Sequence, residues 1–178
     1  MKKFKIVLMF IAMFMMVGTL SSCASKPKEF SSNGITITLT NKFKYGNDEN
    51  VQVLLLTSKI GFMGNGEYKT SVGVSDNQLE HYTQKVLNVS GKTADITNYD
   101  EDGVTFCYAY YTATAQNITF KYMLITKEGA SKYYTMNFWS KESEFDEYKD
   151  QFFEWAKTIQ VAVSYTHLRA HETGAYLV

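Results

Sequence analysis

Residues 104–139 read VTFCYAYYTATAQNITFKYMLITKEGASKYYTMNFW, and this stretch decides the fold class. Aromatic and β-branched residues dominate it, which is typical of β-strands. Short polar turns at Ala115–Asn117 and Glu128–Ser131 divide it into three predicted strands, 104–114, 118–127 and 132–139. Strands joined by turns this short are antiparallel neighbours. The stretch therefore predicts an antiparallel meander.

The flanking sequence extends this sheet on its N-terminal side. Alternating or apolar runs predict strands at 34–39, 51–57 and 93–99, and Asp100–Gly103 (DEDG) predicts a hairpin turn rather than a calcium loop. Ser75 and Gln78 have the spacing of a capping box, which predicts a helix over 76–89. The glycine-rich segment Gly61–Gly66 lacks the spacing of a phosphate-binding motif and is predicted to be a flexible loop.

A second helix is predicted at Lys141–Gln160, with Ser140 or Ser143 as its cap. Acidic residues fill its first turns, where the helix dipole favours them. Apolar side chains recur every three or four residues and form one stripe that must lie on the sheet: Phe145, Tyr148, Phe152, Trp155, Ala156 and Ile159. The element order predicts an α+β domain over residues 34–162, with a central antiparallel sheet of about six strands flanked by helices.

The N-terminus has the three regions of a secretory signal. Lysines at positions 2, 3 and 5 precede the apolar run Ile6–Leu20, which is shorter than the roughly 20 residues that a spanning helix needs. Leu20-Ser21-Ser22-Cys23 resembles the bacterial lipobox. We therefore predict a signal peptide at 1–22, lipidation (palmitate and diacylglycerol) of Cys23, a polar tether at 23–33, and an extracytoplasmic, membrane-anchored location.

The C-terminal segment has no pattern of a packed element. Residues 163–173 (VSYTHLRAHET) resemble the translation of adapter DNA used to build sequencing libraries, and they contain Arg169, the chain's one arginine. We therefore expect residues 163–178 to be an adapter-derived artefact, disordered and outside the fold, and the native gene to continue beyond about Ala162.

Charge and reactive side chains exclude several functions for residues 23–162. This segment carries 14 lysines and 17 acidic residues, a net charge of −3 without arginine, which argues against nucleic-acid binding. Cys107 is predicted to be a buried core thiol rather than a nucleophile. His81 is predicted on the solvated side of its helix. One histidine and one cysteine do not make a zinc site or a catalytic triad, so we predict no metal, cofactor or catalytic residue.

Four tyrosines on adjacent predicted strands are the candidate binding residues: Tyr108, Tyr110, Tyr122 and Tyr133. They can form one exposed aromatic face for a peptide, glycan or apolar ligand, or they can pack beneath a helix.

Three features together resemble a known group of proteins: the lipoprotein start, the segment NGITITLTNKF and the closing KESEFDEYKDQFFEWAKTIQV. They resemble small clostridial-type lipoproteins of the PsbP-like group, whose fold is shared with DcrB and the Mog1 nuclear-transport factor. The resemblance implies an antiparallel sheet of about six strands between helices. It implies no catalytic or metal-binding residue. We expect a non-enzymatic binding or assembly module with an unknown protein, peptide or small ligand. The alternatives are a solute receptor and a weakly catalytic surface protein.

Overall fold

The computed structural model describes residues 25–74 and 78–162 of the chain. They form ten strands and three α-helices. In chain order these are β1 Pro27–Ser32, β2 Ile35–Thr40, β3 Lys44–Tyr45, β4 Val53–Leu56, β5 Ile60–Tyr68, α1 Lys69–Val72, α2 Leu79–Val89, β6 Thr97–Glu101, β7 Val104–Ala115, β8 Ile118–Glu128, β9 Lys132–Lys141, a 3₁₀ turn Glu142–Glu144, α3 Phe145–Lys157 and β10 Gln160–Val161. None of the helices in these residues is long and apolar enough to cross a membrane.

The predicted meander is confirmed as the centre of a seven-stranded antiparallel sheet with the order β3-β4-β5-β9-β8-β7-β6. Its hairpins are tight. Asp102 and Gly103 connect β6 to β7, and Gln116 and Asn117 connect β7 to β8; all four residues have positive φ. Paired residues of this kind form the turn whose twist matches that of the flanking strands. The predicted α+β class is therefore confirmed, with seven strands in the large sheet instead of about six.

A smaller sheet, β1-β2-β10, was only partly predicted. Residues 27–32 were expected to be tether, yet they form β1 and pair with β2 in full register from Pro27↔Thr40 to Ser32↔Ile35. Phe30 explains why: its side chain is buried in the main core, which ties the whole segment to the domain. The chain that can act as a tether is therefore shorter than the sequence indicated.

The segment Gly61–Gly66 is also not a loop. It belongs to β5, which pairs with β4 on one side and β9 on the other. Gly61, Gly64 and Gly66 each leave room for a larger neighbour, since a Cβ there would come within 2.2 Å of Trp139, 2.7 Å of Ile35 and 2.8 Å of Tyr134. The glycines therefore serve close packing rather than flexibility.

The face of the large sheet that carries α3 holds the main core. Phe145, Phe152, Ala156 and Ile159 of the predicted stripe are buried, and Phe152 stacks on Phe138 of β9 with ring centroids 4.9 Å apart. Tyr148 and Trp155 are only half-buried at the edges of the stripe. The small sheet lies on this same face, where Ile35, Ile37 and Leu39 join the core. We call this side of the large sheet the α3 face.

The predicted cap of this helix is wrong. The 3₁₀ turn Glu142–Glu144 precedes α3, and Glu144 is the N-cap residue of α3. The Glu144 side chain makes no capping hydrogen bond. The Ser140 hydroxyl instead donates to the carbonyl of Lys141 at 3.1 Å.

Helix α2 covers part of the opposite face, the α2 face, through polar as well as apolar contacts. Tyr82 stacks on buried Tyr133 with centroids 4.5 Å apart, and its hydroxyl shares a hydrogen bond with that of Thr135 at 2.7 Å. The hydroxyls of Thr83 and Thr126 share another at 2.6 Å. The helix is observed from Leu79; of its predicted capping box, residues 75–77 lie outside the described residues.

Candidate functional site

One row of residues crosses the α2 face in direct register beyond the end of α2. The pairs Leu56↔Gly61, Gly61↔Trp139, Trp139↔Tyr122 and Tyr122↔Tyr111 link five adjacent strands. Because directly paired residues project to the same face of a sheet, their side chains form a continuous band. We call Tyr111, Tyr122 and Trp139 the aromatic row. All three are half-buried, so each has an exposed part.

The rings of the aromatic row are held in fixed orientations. Tyr111 and Tyr122 stack at a centroid distance of 4.9 Å and an interplanar angle of 2°, and Tyr122 and Trp139 lie 6.3 Å apart at 26°. The Tyr111 hydroxyl donates to Oδ1 of Asn137 at 3.0 Å. Stacked rings with a hydrogen-bonded hydroxyl lose little side-chain entropy on binding, since they are already ordered.

Gly61 sets the position of Trp139. A Cβ on Gly61 would lie 2.2 Å from Cζ2 of the indole and 2.4 Å from the next ring atom, so the indole lies directly over this part of β5. Any other residue at position 61 would displace the ring. The glycine thus flattens one end of the row and leaves the outer side of the indole towards solvent.

Further apolar side chains widen the exposed surface. Leu54 and Met63 pair across β4 and β5, and Phe120 lies two residues before Tyr122 on β8; all are at least partly exposed. An open groove of about 490 Å³ lies at the Trp139 end, between Leu56, Phe120 and Lys141. We call the aromatic row with Leu54, Leu56, Met63 and Phe120 the open half of the α2 face.

The charges beside the open half are mainly positive. Nζ of Lys92 lies 5.9 Å from the ring centroid of Tyr111 and donates to the carbonyl of Thr112 at 2.8 Å. Lys141 lines the groove at the other end, where Lys59 pairs with Glu144 at 3.4 Å. Burial raises the pKa of both Tyr111 and Tyr122, so their hydroxyls remain protonated donors at neutral pH.

The structure does not bring the four predicted tyrosines together. Tyr108 and Tyr110 lie on the α3 face, half-buried against Phe153 and Phe145 respectively. Tyr133 is on the α2 face but fully buried under Tyr82. Only Tyr122 belongs to the open half. Sequence reasoning missed Tyr111 and Trp139, which the strand register places beside it.

The other predicted site residues have simple environments. Cys107 is buried, burial raises the pKa of its thiol, and the thiol donates to Oδ1 of Asn98 at 2.8 Å. His81 is exposed on α2. In the described parts of the chain, no three His, Cys, Asp or Glu side chains are grouped to hold a metal ion. Cys23 and residues 163–178 lie outside the described residues.

Comparison with known proteins gives a structural match only. The fold is similar to the solution structure of cyanobacterial PsbP (CyanoP) from Synechocystis sp. PCC 6803, with a TM-score of 0.55 and 15% sequence identity over 80% of this chain and 96% of that chain. No protein-family model matches the chain, and no curated protein matches it in sequence. The chain therefore has a PsbP-like α+β fold, as the sequence resemblance implied.

Proposed function

We propose that this protein is a lipid-anchored extracytoplasmic module that binds a partner protein through the open half of the α2 face and catalyses no reaction. The observation that carries the proposal is the aromatic row, three stacked and partly exposed rings on the middle strands of a rigid sheet. The lipobox-like Leu20–Cys23 supports the anchor.

Four features favour a protein over a small molecule as the partner. Small-molecule sites are usually concave and bury most of their ligand, whereas the open half extends over several strands and its groove is open. Tyrosine and tryptophan are the residues that most often dominate the energy of protein interfaces. The groove between Leu56, Phe120 and Trp139 can take one apolar side chain of the partner. Lys141 beside the groove and Lys92 at the opposite end of the aromatic row would favour acidic residues on the partner's contact surface.

The experiment places a photoreactive benzoylphenylalanine at position 122 of the full chain, in the bacterium that makes it. We expect one crosslinked adduct of defined mass, and we expect Trp139→Ala to reduce its yield about tenfold or more, as the loss of a central interface aromatic does. The matched control carries the photoreactive residue at Gln84, on the exposed side of α2.

Glu80→Ala, also exposed on α2, serves as a control substitution that should leave the adduct at position 122 unchanged. The proposal fails if position 122 gives no discrete adduct. It also fails if positions 122 and 84 give the same adducts, or if the yield does not depend on Trp139.

A further inference from the structure

The chain enters the domain at a corner that is rich in lysine. Lys26 lies just before β1 and makes two hydrogen bonds with Asn41, which follows β2. The amide N–H of Asn41 donates to the carbonyl of Lys26 at 2.8 Å, and the N–H of Lys26 donates to Oδ1 of Asn41 at 3.2 Å. Lys28, Lys42 and Lys44 lie within three residues of this pair. All four lysines are exposed. We call Lys26, Lys28, Lys42 and Lys44 the basic corner.

Within the described residues, no ion pair neutralises the positive charge of this corner. Among residues 25–74 and 78–162, the ion pairs are Lys59–Glu144, Lys69–Glu128, Lys121–Asp146 and Lys157–Glu154. None of them includes a lysine of the basic corner. The one acidic residue of β1, Glu29, projects to the opposite side of the strand from Lys28, because successive side chains of a strand alternate.

Charge is also separated along this edge of the molecule. The acidic residues Asp48 and Glu49 lie in the turn after β3, which is held against the far end of β1 because Nδ2 of Asn33 donates to the carbonyl of Gln52 at 2.7 Å. The length of β1 therefore separates them from Lys26, a distance of roughly 20 Å for six residues. The edge is basic where the chain enters and acidic where β1 ends.

The position of β1 brings the basic corner close to the predicted anchor. Lys26 is three positions after Cys23, and an extended chain of that length spans at most about 11 Å. Charge interactions in physiological salt extend over about 8 Å. A lipid on Cys23 therefore holds Lys26 at a distance from the head groups comparable to this screening length, closer than the tether of residues 23–33 expected from the sequence would hold it.

We propose that the basic corner docks on the head groups of an anionic phospholipid bilayer and fixes how the domain sits on the membrane. This inference rests on the proposed anchor at Cys23. The small sheet that contains β1 packs on the α3 face, where the side chain of Ile35 in β2 lies against Gly64 of β5. Lys44 pairs with Leu56, so the basic corner borders the open half at its edge strand, but the aromatic row begins three strands farther into the large sheet and stays accessible to a partner protein.

The two tryptophans of the chain make this orientation measurable. Trp155 lies beside the basic corner, with its ring centroid 5.5 Å from that of Phe43, the residue between Lys42 and Lys44. Trp139 lies in the open half, so Trp139→Phe leaves one reporter at the corner. The full chain, processed in its own cells, is reconstituted in vesicles whose lipids carry a nitroxide on the head group. The vesicles are either pure phosphatidylcholine or contain about one third phosphatidylglycerol.

We expect nitroxide quenching of Trp155 to be at least threefold stronger in the anionic vesicles than in the phosphatidylcholine vesicles. In 0.5 M salt, quenching in the anionic vesicles should fall to the level seen in phosphatidylcholine. Each lysine near an anionic surface strengthens binding by about fivefold, so Lys42→Gln with Lys44→Gln should weaken docking by roughly 25-fold. The matched control, Lys85→Gln with Lys149→Gln, removes the same charge from exposed positions on α2 and α3 and should leave the quenching unchanged.

Equal quenching in neutral and anionic vesicles overturns the inference, and so does quenching that the corner variant does not reduce. Release by soluble inorganic phosphate at constant ionic strength also overturns it, because the corner would then recognise free phosphate. Labelling with a fatty-acid analogue tests the anchor separately: equal label on the native chain and on Cys23→Ser refutes the anchor. Label that depends on Cys23 with no lysine-dependent quenching refutes only the docking.

Discussion

The two faces of the seven-stranded sheet are covered in different ways. On the α3 face, a helix and a second sheet bury a continuous set of aromatic and aliphatic side chains, among them Phe62, Phe138 and Phe152. On the α2 face, helix α2 packs mainly against β7, β8 and β9 of the described strands, and it is joined to them partly by hydroxyl groups, such as those of Thr83 and Thr126. Apolar packing therefore holds the first layer, and a mixture of packing and directed hydrogen bonds holds the second.

This difference bears on function. A face that is largely covered contributes mainly stability, whereas a less covered face keeps more of its apolar surface available to a partner. The aromatic row lies where α2 no longer covers the strands. The stable α3 face thus provides the rigid support on which the open half can serve as a binding surface.

The largest expected effect is on the α3 face. Phe152 is fully buried and stacked on Phe138, so Phe152→Ala should lower the free energy of unfolding by about 3–5 kcal/mol. Gln151→Ala, at the exposed neighbouring position, should change it by less than about 0.5 kcal/mol. Urea titrations of both variants make the measurement. Equal and small effects would mean that α3 is not seated on the sheet.

A smaller effect on the free energy of unfolding is expected in the open half, and its sign depends on whether Trp139 is present. Gly61→Ala places a methyl group against Trp139, and forcing an extra carbon into a close contact typically costs about 1–3 kcal/mol. In a Trp139→Ala background that contact is absent, and alanine should then be neutral or stabilising by about 0.5–1 kcal/mol, since glycine is unfavourable within a strand.

A double-mutant cycle measured by urea unfolding isolates the coupling between the two positions. If Gly61→Ala has the same cost in both backgrounds, the indole does not lie over β5. The aromatic row would then have to be redrawn without Trp139 at its end.

The large elements of the fold could be predicted because their signals are local. Alternating apolar residues in 118–127 and the stripe of α3 each specify an element without reference to the rest of the chain. Residues 27–32 and Gly61–Gly66 were mispredicted for the opposite reason. β1 is ordered by burial of Phe30 in a distant core, and the glycines of β5 are explained only by the rings on β9 and a side chain of β2.

The candidate site was missed through an error of one residue. A three-residue turn at Ala115–Asn117 pairs Tyr122 with Tyr110, which places Tyr108, Tyr110 and Tyr122 on one face. The turn has two residues, Gln116 and Asn117, and Tyr122 pairs with Tyr111 instead. Because side chains alternate along a strand, a shift of one residue exchanges the two faces. The dipeptide Gln-Asn is a weaker turn signal than the Asp-Gly of the preceding hairpin, so the sequence did not settle the register.

The smallest expected effect at neutral pH concerns the hydrogen bond between Tyr82 of α2 and Thr135 of β9. The stability that depends on Tyr82 should also change with pH. Burial raises the pKa of Tyr82 to about 12, whereas the phenol of an unfolded chain has a pKa near 10. The folded protein therefore keeps this proton to a higher pH than the unfolded chain does. The stability linked to it is complete below about pH 10 and is lost as the pH rises towards 12, by up to roughly 2 kcal/mol.

Tyr82→Phe removes the phenol and its hydrogen bond to Thr135, so at pH 7 it should cost about 1 kcal/mol. At pH 11.5 the native chain has lost much of the stability linked to Tyr82, and the difference from the variant should shrink or reverse. Thr135→Val is the matched control: it keeps the phenol and removes the hydrogen bond that lowers the pKa of Tyr82, so its stability should fall with pH at least as much as that of the native chain. Urea titrations of the three chains at both pH values make the comparison. If Tyr82→Phe and Thr135→Val respond alike to pH, Tyr82 is not buried between α2 and the sheet. The exposed part of the α2 face would then extend beyond the open half.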